Sequence, residues 1–218
     1  MSASAPKLHI IVGSTRPGRR GPAVAAWFHG LALKHAGFDA DLVDLAEVGL
    51  PLLDEPRPPQ RGRYDHEHTR RWSEIVRTAD AYVFVVPEYN HSYNAATKNA
   101  LDFLAKEWAG KPVAFVGYGG VAAGARAVHA LLPVVTALGM VPLAGSVHIP
   151  FIRQSITSDG RFEPAPGLDE NATGVIDGLH RLAVGLPTVR PGGPRGGAGG
   201  RPRGGPGAAR AGGGGGRW

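Results

Sequence analysis

Two hydrophobic periods alternate along the chain up to about residue 186. Residues 8–13 (LHIIVG) form a continuous apolar run closed by glycine, the pattern of a strand buried on both faces. Residues 21–37 repeat apolar positions at helical spacing and stop at Gly37, which predicts a helix. Residues 38–46 alternate, with Phe38, Ala40, Leu42 and Val43 expected to face inward, so a second strand follows. A proline-rich loop then leads to a helix at 69–80, and residues 81–87 (AYVFVVP) are the most apolar strand. A helix is expected at 94–104, a strand at 111–119, a long helix at 121–139, a fifth strand at 140–149 and a closing helix at 169–186. Pro133 predicts a kink or an early break in the long helix. Asn94 is a candidate cap for the helix it precedes.

Five strands separated by helices predict an α/β fold with a parallel sheet covered on both faces. Two doubly wound orders satisfy that pattern, 2-1-3-4-5 and 3-2-1-4-5, and in both the ligand lies beyond the carboxyl ends of the strands. Functional residues are therefore expected after strands one, three and four. Three unusual loops occupy those places.

The first loop, residues 13–23 (GSTRPGRRGPA), combines small residues, two hydroxyls and three arginines ahead of a helix start. Helix N-termini offer unpaired N–H groups and the positive end of the dipole, and arginine adds a bidentate fork. This is the chemistry of a phosphate cradle. Arg16, Arg19 and Arg20 should repel one another unless an anion sits among them. The loop is neither a dinucleotide fingerprint nor a P-loop. In the second loop (PEYNHSYN, 87–94), Pro87 stiffens the strand exit, backbone groups can pair with the edge of a heterocycle, and Tyr89 and Tyr93 can wall it in. Glu88 and His91 could alternatively be an acid–base pair; a metal there would need a further histidine or carboxylate at ligand spacing. The third loop (GYGGVAAGA, 117–125) has little but backbone to offer apart from Tyr118, as close approach to a flat ring requires.

The chain has 218 residues and no cysteine, which excludes disulfides and thiolate chemistry and suits a reducing, cytoplasmic location. No signal peptide or membrane span is expected from the sequence. The net charge of +6 changes meaning once located: six arginines (190, 195, 201, 203, 210 and 217) lie beyond residue 186 with no acid among them. Without them 18 basic residues face 18 acidic ones, so the body is neutral. The Gly/Arg/Pro-rich stretch 187–218 is expected to be a disordered tail. A role as a nucleic-acid arm is weighed against a plain solvated extension; no specific nucleic acid is expected.

The motifs GSTRPGRRGPAVAAW, PEYNHSYNAATKNALDFL and GYGGVAAGARAVHALL, in this order, resemble the NADPH-dependent FMN reductase family over about residues 7–186. That resemblance implies a flavodoxin-like three-layer sandwich over residues 1–186 with a five-stranded parallel sheet of order 2-1-3-4-5. It implies bound FMN, NADPH (or NADH) as co-substrate, a small-molecule electron acceptor and a homodimer, with a tetramer as the larger alternative. The helices after the second and third loops, with Ala95, Ala96, Ala100, Leu101, Leu104, Val128, Leu131 and Leu132, are the surfaces expected to pair. By position, Ser14 and Arg16 hold the phosphate with the amides of Gly21, Pro22 and Ala23. Pro87, Glu88, Tyr89 and Asn90 line the isoalloxazine, while Tyr118, Gly119 and Gly120 approach its pyrimidine side. No side chain is assigned as catalytic. The competing function is a one-electron flavodoxin-like carrier, against which the neutral body and arginine-rich loop argue.

Overall fold

The computed structural model describes residues 5–186; the tail expected at 187–218 lies outside the described residues. Strands β1 (Lys7–Val12), β2 (Asp39–Asp44), β3 (Ala81–Pro87) and β4 (Pro112–Tyr118) are parallel neighbours in the order β2-β1-β3-β4. The fifth position is shared by two short strands, β5 (Val141–Pro142) and β6 (Val147–Ile149), laid end to end along β4. The single strand expected at 140–149 is thus interrupted. Pro142 offers no N–H, and Ala144, Gly145 and Ser146 have almost nothing to bury, so the ladder lapses between the two.

Helix α1 (Gly21–Lys34) and the closing helix α6 (Leu168–Gly185) cover one face of the sheet through Val24, Phe28, Ile176 and Leu179. The other face carries α3 (Glu67–Thr78), α4 (Ala95–Asp102) and α5 (Ala125–Ala137), packed through Trp72, Leu101 and Leu131, with Trp108 from the turn after α4 in the same core. A one-turn helix, α2 (Leu45–Val48), leaves β2 and shortens the strand expected to run to residue 46. Because both faces are covered, β3 and β4 are buried along their whole length, which is why their sequences are unbroken apolar runs.

Several local expectations change in the folded chain. Leu42 shares a sheet face with buried Ala40 yet is 43% exposed, because β2 is an edge strand that the covering helix does not reach along its whole length. Helix α1 ends at Lys34, with left-handed Ala36 before Gly37. Helix α5 starts at Ala125: Ala123 and Gly124 are left-handed (φ 54° and 82°) and close a turn where a first helical turn was expected. Pro133 stays inside α5, which runs on to Ala137 without the expected break. The proposed pairing surface is also altered. Ala100, Leu101, Leu104, Val128 and Leu131 are buried within this chain, leaving Ala95, Ala96 and Leu132 at least partly exposed.

Candidate active site

Helix α1 lies on one face and the next three connecting helices on the other, so the loops after β1 and β3 diverge. A cavity of about 460 Å³ opens beside them, within the range of about 300–1,000 Å³ usual for small-molecule sites. Its walls are Arg16–Arg20 after β1, Pro87–Tyr89 after β3, Tyr118–Gly120 after β4 and Phe151–Gln154 after β6.

The first loop is clamped from below. Gly13 donates its N–H to the Val85 carbonyl at 2.9 Å, and a Cβ on Gly13 would lie 2.4 Å from Thr97 Oγ1. Asn94 sits at the N-cap position of α4 without bonding a backbone N–H there. Its Nδ2 instead donates to the Gly13 carbonyl at 2.6 Å, and its Oδ1 accepts from Thr97 at 2.9 Å. The expected cap is therefore a strut between β1 and α4. Ser14 is buried, with its hydroxyl 3.2 Å from the Tyr89 phenol.

The three arginines do not form one repelling cluster. Arg19 pairs in bidentate fashion with Asp44 at the end of β2 and donates to the Ser14 carbonyl at 2.8 Å. The pairing holds the charge on Arg19 firmly, with its pKa raised chiefly by the Asp44 hydrogen bond. Among the described residues, the guanidinium groups of Arg16 and Arg20 make no hydrogen bond or ion pair. Asp44 also caps α2 through the Ala46 N–H. Asp44→Ala should therefore strip Arg19 of its partner and α2 of its cap together. The expected loss is about 2–3 kcal/mol, read as a lower urea midpoint with an unchanged slope.

The start of α1 behind this loop has no acidic residue in its first turn and no side-chain cap. Its early N–H groups lack intrahelical partners. Gly21 and Ala23 can offer theirs; Pro22 has no N–H, so the expected trio of donors is a pair. None of Gly21, Pro22 and Ala23 lines the cavity, whose wall in the first loop ends at Arg20.

In the second loop, Tyr89 and Ser92 exchange backbone hydrogen bonds at 2.8 and 3.0 Å around left-handed Asn90 and His91. The hairpin lifts Asn90 and His91 into solvent and away from the cavity, while Pro87, Glu88 and Tyr89 remain on its wall. The Glu88 carboxylate meets Arg126 Nε at 2.7 Å and accepts from the Arg126 N–H at 3.2 Å. It thus braces the start of α5 and is not paired with His91.

The third loop is shaped by close backbone contact. A Cβ on Gly117 would lie 2.9 Å from the Gly124 carbonyl, whereas one on Gly120 would meet nothing within 4 Å. Gly119 and Gly120 thus present bare backbone to the cavity. The Tyr118 side chain reaches toward the start of α1: its hydroxyl would lie 3.0 Å from a Cβ on Gly21. Burial raises its pKa well above the phenol range, with Tyr89 adding to the effect, so it stays protonated.

The wall Phe151–Gln154 was absent from the expected site. It carries no glycine or phosphate motif and follows a strand that looked continuous. Its left-handed Phe151 (φ 46°) is visible only in the fold.

A parallel sheet of order β2-β1-β3-β4-β5 with helices on both faces is a flavodoxin-like fold, and bare glycine backbone and the arginines of the first loop meet at its carboxyl edge, where such folds bind their ligands. A family profile described as NADPH-dependent FMN reductase matches residues 6–154, and the chain belongs to that family. An NAD(P)H-dependent FMN reductase of Schizosaccharomyces pombe is 44% identical over 117 residues, 53% of this chain and 58% of that protein. An FMN-dependent NADPH-azoreductase of Staphylococcus saprophyticus is 32% identical over 142 residues, covering 64% and 75%. The match thus spans under two thirds of the fungal relative's length. FerB, a flavoenzyme NAD(P)H:acceptor oxidoreductase from Paracoccus denitrificans, superposes with a TM-score of 0.66 over 83% of this chain and 98% of FerB. At 22% identity that likeness is one of fold.

Proposed function

We propose that the chain is an FMN-dependent NAD(P)H oxidoreductase acting on a flavin, quinone, azo compound or similar small acceptor. The observation that carries this reading is one cavity with two chemically different kinds of lining. Arg16 and Arg20, unpaired among the described residues, line it from the loop that leads into the uncapped start of α1, and the bare backbone of Gly119 and Gly120 lines it from the third loop. The residues present fit FMN on two counts: the arginines answer a phosphate dianion, and the open space at Gly120 admits a flat ring.

When bound, FMN supplies the redox chemistry, accepting reducing equivalents from NADPH or NADH and delivering them to the acceptor. The chain binds and orients. Arg16 and Arg20 hold the phosphate, assisted by the N–H groups of Gly21 and Ala23. Ser14 acts through Tyr89, fixing the phenol that walls the ring side. Pro87 and Glu88 set the strand exit, with the Glu88 carboxylate occupied by Arg126 and so not available to move a proton. Asn90 stiffens the hairpin from outside the cavity.

The purified protein should take up FMN with a dissociation constant tighter than that for riboflavin. It should also oxidise NADPH only when an acceptor is present. Uptake without NADPH turnover against quinones, azo dyes and free flavin would identify a carrier instead. The unit responsible is residues 1–186, so the chain truncated after Leu186 should give the same FMN stoichiometry and turnover. We also infer a homodimer. Its support is a second, apolar groove between α2 and α4 lined by Leu45, Leu50, Leu52, Ala95 and Ala96, with Leu52 82% exposed. Light scattering at micromolar concentration should give twice the chain mass; a monomer mass with FMN bound would reject the dimer. Among the described residues no helix is long and apolar enough to cross a membrane. The cytoplasm is the location we propose, on the absence of cysteine.

A further inference from the structure

The segment after β6 is tied to the third loop by backbone hydrogen bonds. Phe151 and Ile152 donate their N–H groups to the carbonyls of Gly120 and Gly119 at 3.1 and 3.0 Å. Gly119 in turn donates to Ile149 at 3.1 Å, and Ile149 to Ala123 at 3.2 Å. An arm tied this closely to the Gly119–Gly120 backbone moves with it.

Phe151 holds a left-handed backbone (φ 46°, ψ 43°), which bulky side chains rarely adopt and which concentrates at functional sites. Two neighbours have opposite fates. Ile152 is 8% exposed and packs into the core, while the Phe151 ring is 49% exposed on the cavity wall. Core packing does not account for an aromatic ring held there at a conformational cost. Arg153, next along the same wall, makes no hydrogen bond or ion pair among the described residues. Arg16 and Arg20 belong to a different segment, the loop that leads into α1, so Arg153 is surplus to a phosphate held there.

We propose that residues 151–154 form the subsite for the second substrate, gripping a planar molecule that carries an anionic group. The Phe151 ring stacks on the planar part, and the Arg153 guanidinium pairs with a phosphate, sulfonate or carboxylate. This assignment rests on the flavin reading for the identity of the first ligand. The required anion has two sources: the phosphates of the nicotinamide dinucleotide, or an acidic substituent on the acceptor.

The test is equilibrium titration of the FMN-loaded protein with NADP+, NAD+ and anthraquinone-2-sulfonate, followed through the flavin absorbance. Arg153→Ala should weaken NADP+ or the sulfonate about fivefold or more, while FMN affinity stays within twofold. Weakening of NADP+ alone assigns the subsite to the dinucleotide's extra phosphate, and of both nucleotides to their shared diphosphate. Weakening of the sulfonate alone assigns it to the acceptor. No change with any probe overturns the proposal, as does an equal loss of FMN affinity, which would make the arm part of the flavin site. Phe151→Gly removes the ring and relieves the left-handed backbone. It should lower probe affinity without lowering the thermal midpoint; a fall of several degrees with unchanged probe affinity would make the ring mere packing and overturn its role. If the wild-type chain takes up no FMN, the flavin reading fails by itself. The arm is then judged by calorimetry of NADP+ and anthraquinone-2-sulfonate on the unloaded chain, where loss of binding in Arg153→Ala supports it and unchanged binding overturns it.

Discussion

Gly124→Ala should unfold the rim of the site. Gly124 has φ 82°, and a Cβ there would lie 2.3 Å from the Tyr118 nitrogen and 2.4 Å from the Gly117 carbonyl carbon. Both are backbone atoms of β4, so no side chain can yield. The turn must open, at a cost of more than about 3 kcal/mol. For a domain of this size that is roughly a 10 °C fall in the thermal midpoint. Because the same turn anchors Ile149 through the Ala123 carbonyl, FMN retention should fall with it. Gly120→Ala is the matched control. Its methyl would meet nothing within 4 Å, so the thermal midpoint should hold while the methyl narrows the cavity and weakens FMN binding. An unchanged midpoint for Gly124→Ala would show that the turn tolerates a Cβ after all.

Arg16→Ala should weaken FMN by about 10- to 100-fold, the worth of a charge-assisted hydrogen bond of about 1.5–3 kcal/mol. Riboflavin, which lacks the phosphate, should bind the variant and the wild type alike. The exposed side chain of Arg16 makes no hydrogen bond or ion pair among the described residues, so the stability of the unloaded protein should not change. Fluorescence quenching titrations with both flavins check the pair of expectations. Equal FMN affinity in variant and wild type would remove Arg16 from the phosphate site and leave Arg20 to hold it. Arg19 is no substitute, since Asp44 occupies its fork.

Much of the fold was legible because its signals are local. The buried runs 81–87 and 111–119 correspond closely to β3 and β4, since a parallel strand covered on both faces must be apolar throughout. The arginine-rich loop, the PEYN segment and the glycine rim also read correctly as neighbours, because a parallel α/β sheet brings its strand ends to one edge. The order 2-1-3-4-5 came from resemblance: alternation of strands and helices allowed two orders, and the contacts that separate them join distant parts of the chain.

What the sequence by itself determined, then, is the strand–helix alternation, the three loops and the chemistry each can offer. Tertiary structure decided which of those groups are already engaged. Arg19 and Asp44 are 25 residues apart, and Asn94 and Gly13 are 81 apart, so neither pairing leaves a local trace. Glu88 finds Arg126 only because the ends of β3 and β4 lie side by side. The same long-range pairing exposes Leu42 at an edge and folds Phe151–Gln154 back onto the glycine rim. Periodicity records which way a residue faces within its own element; the partner it meets depends on sheet order and register, which bring together residues far apart in the chain.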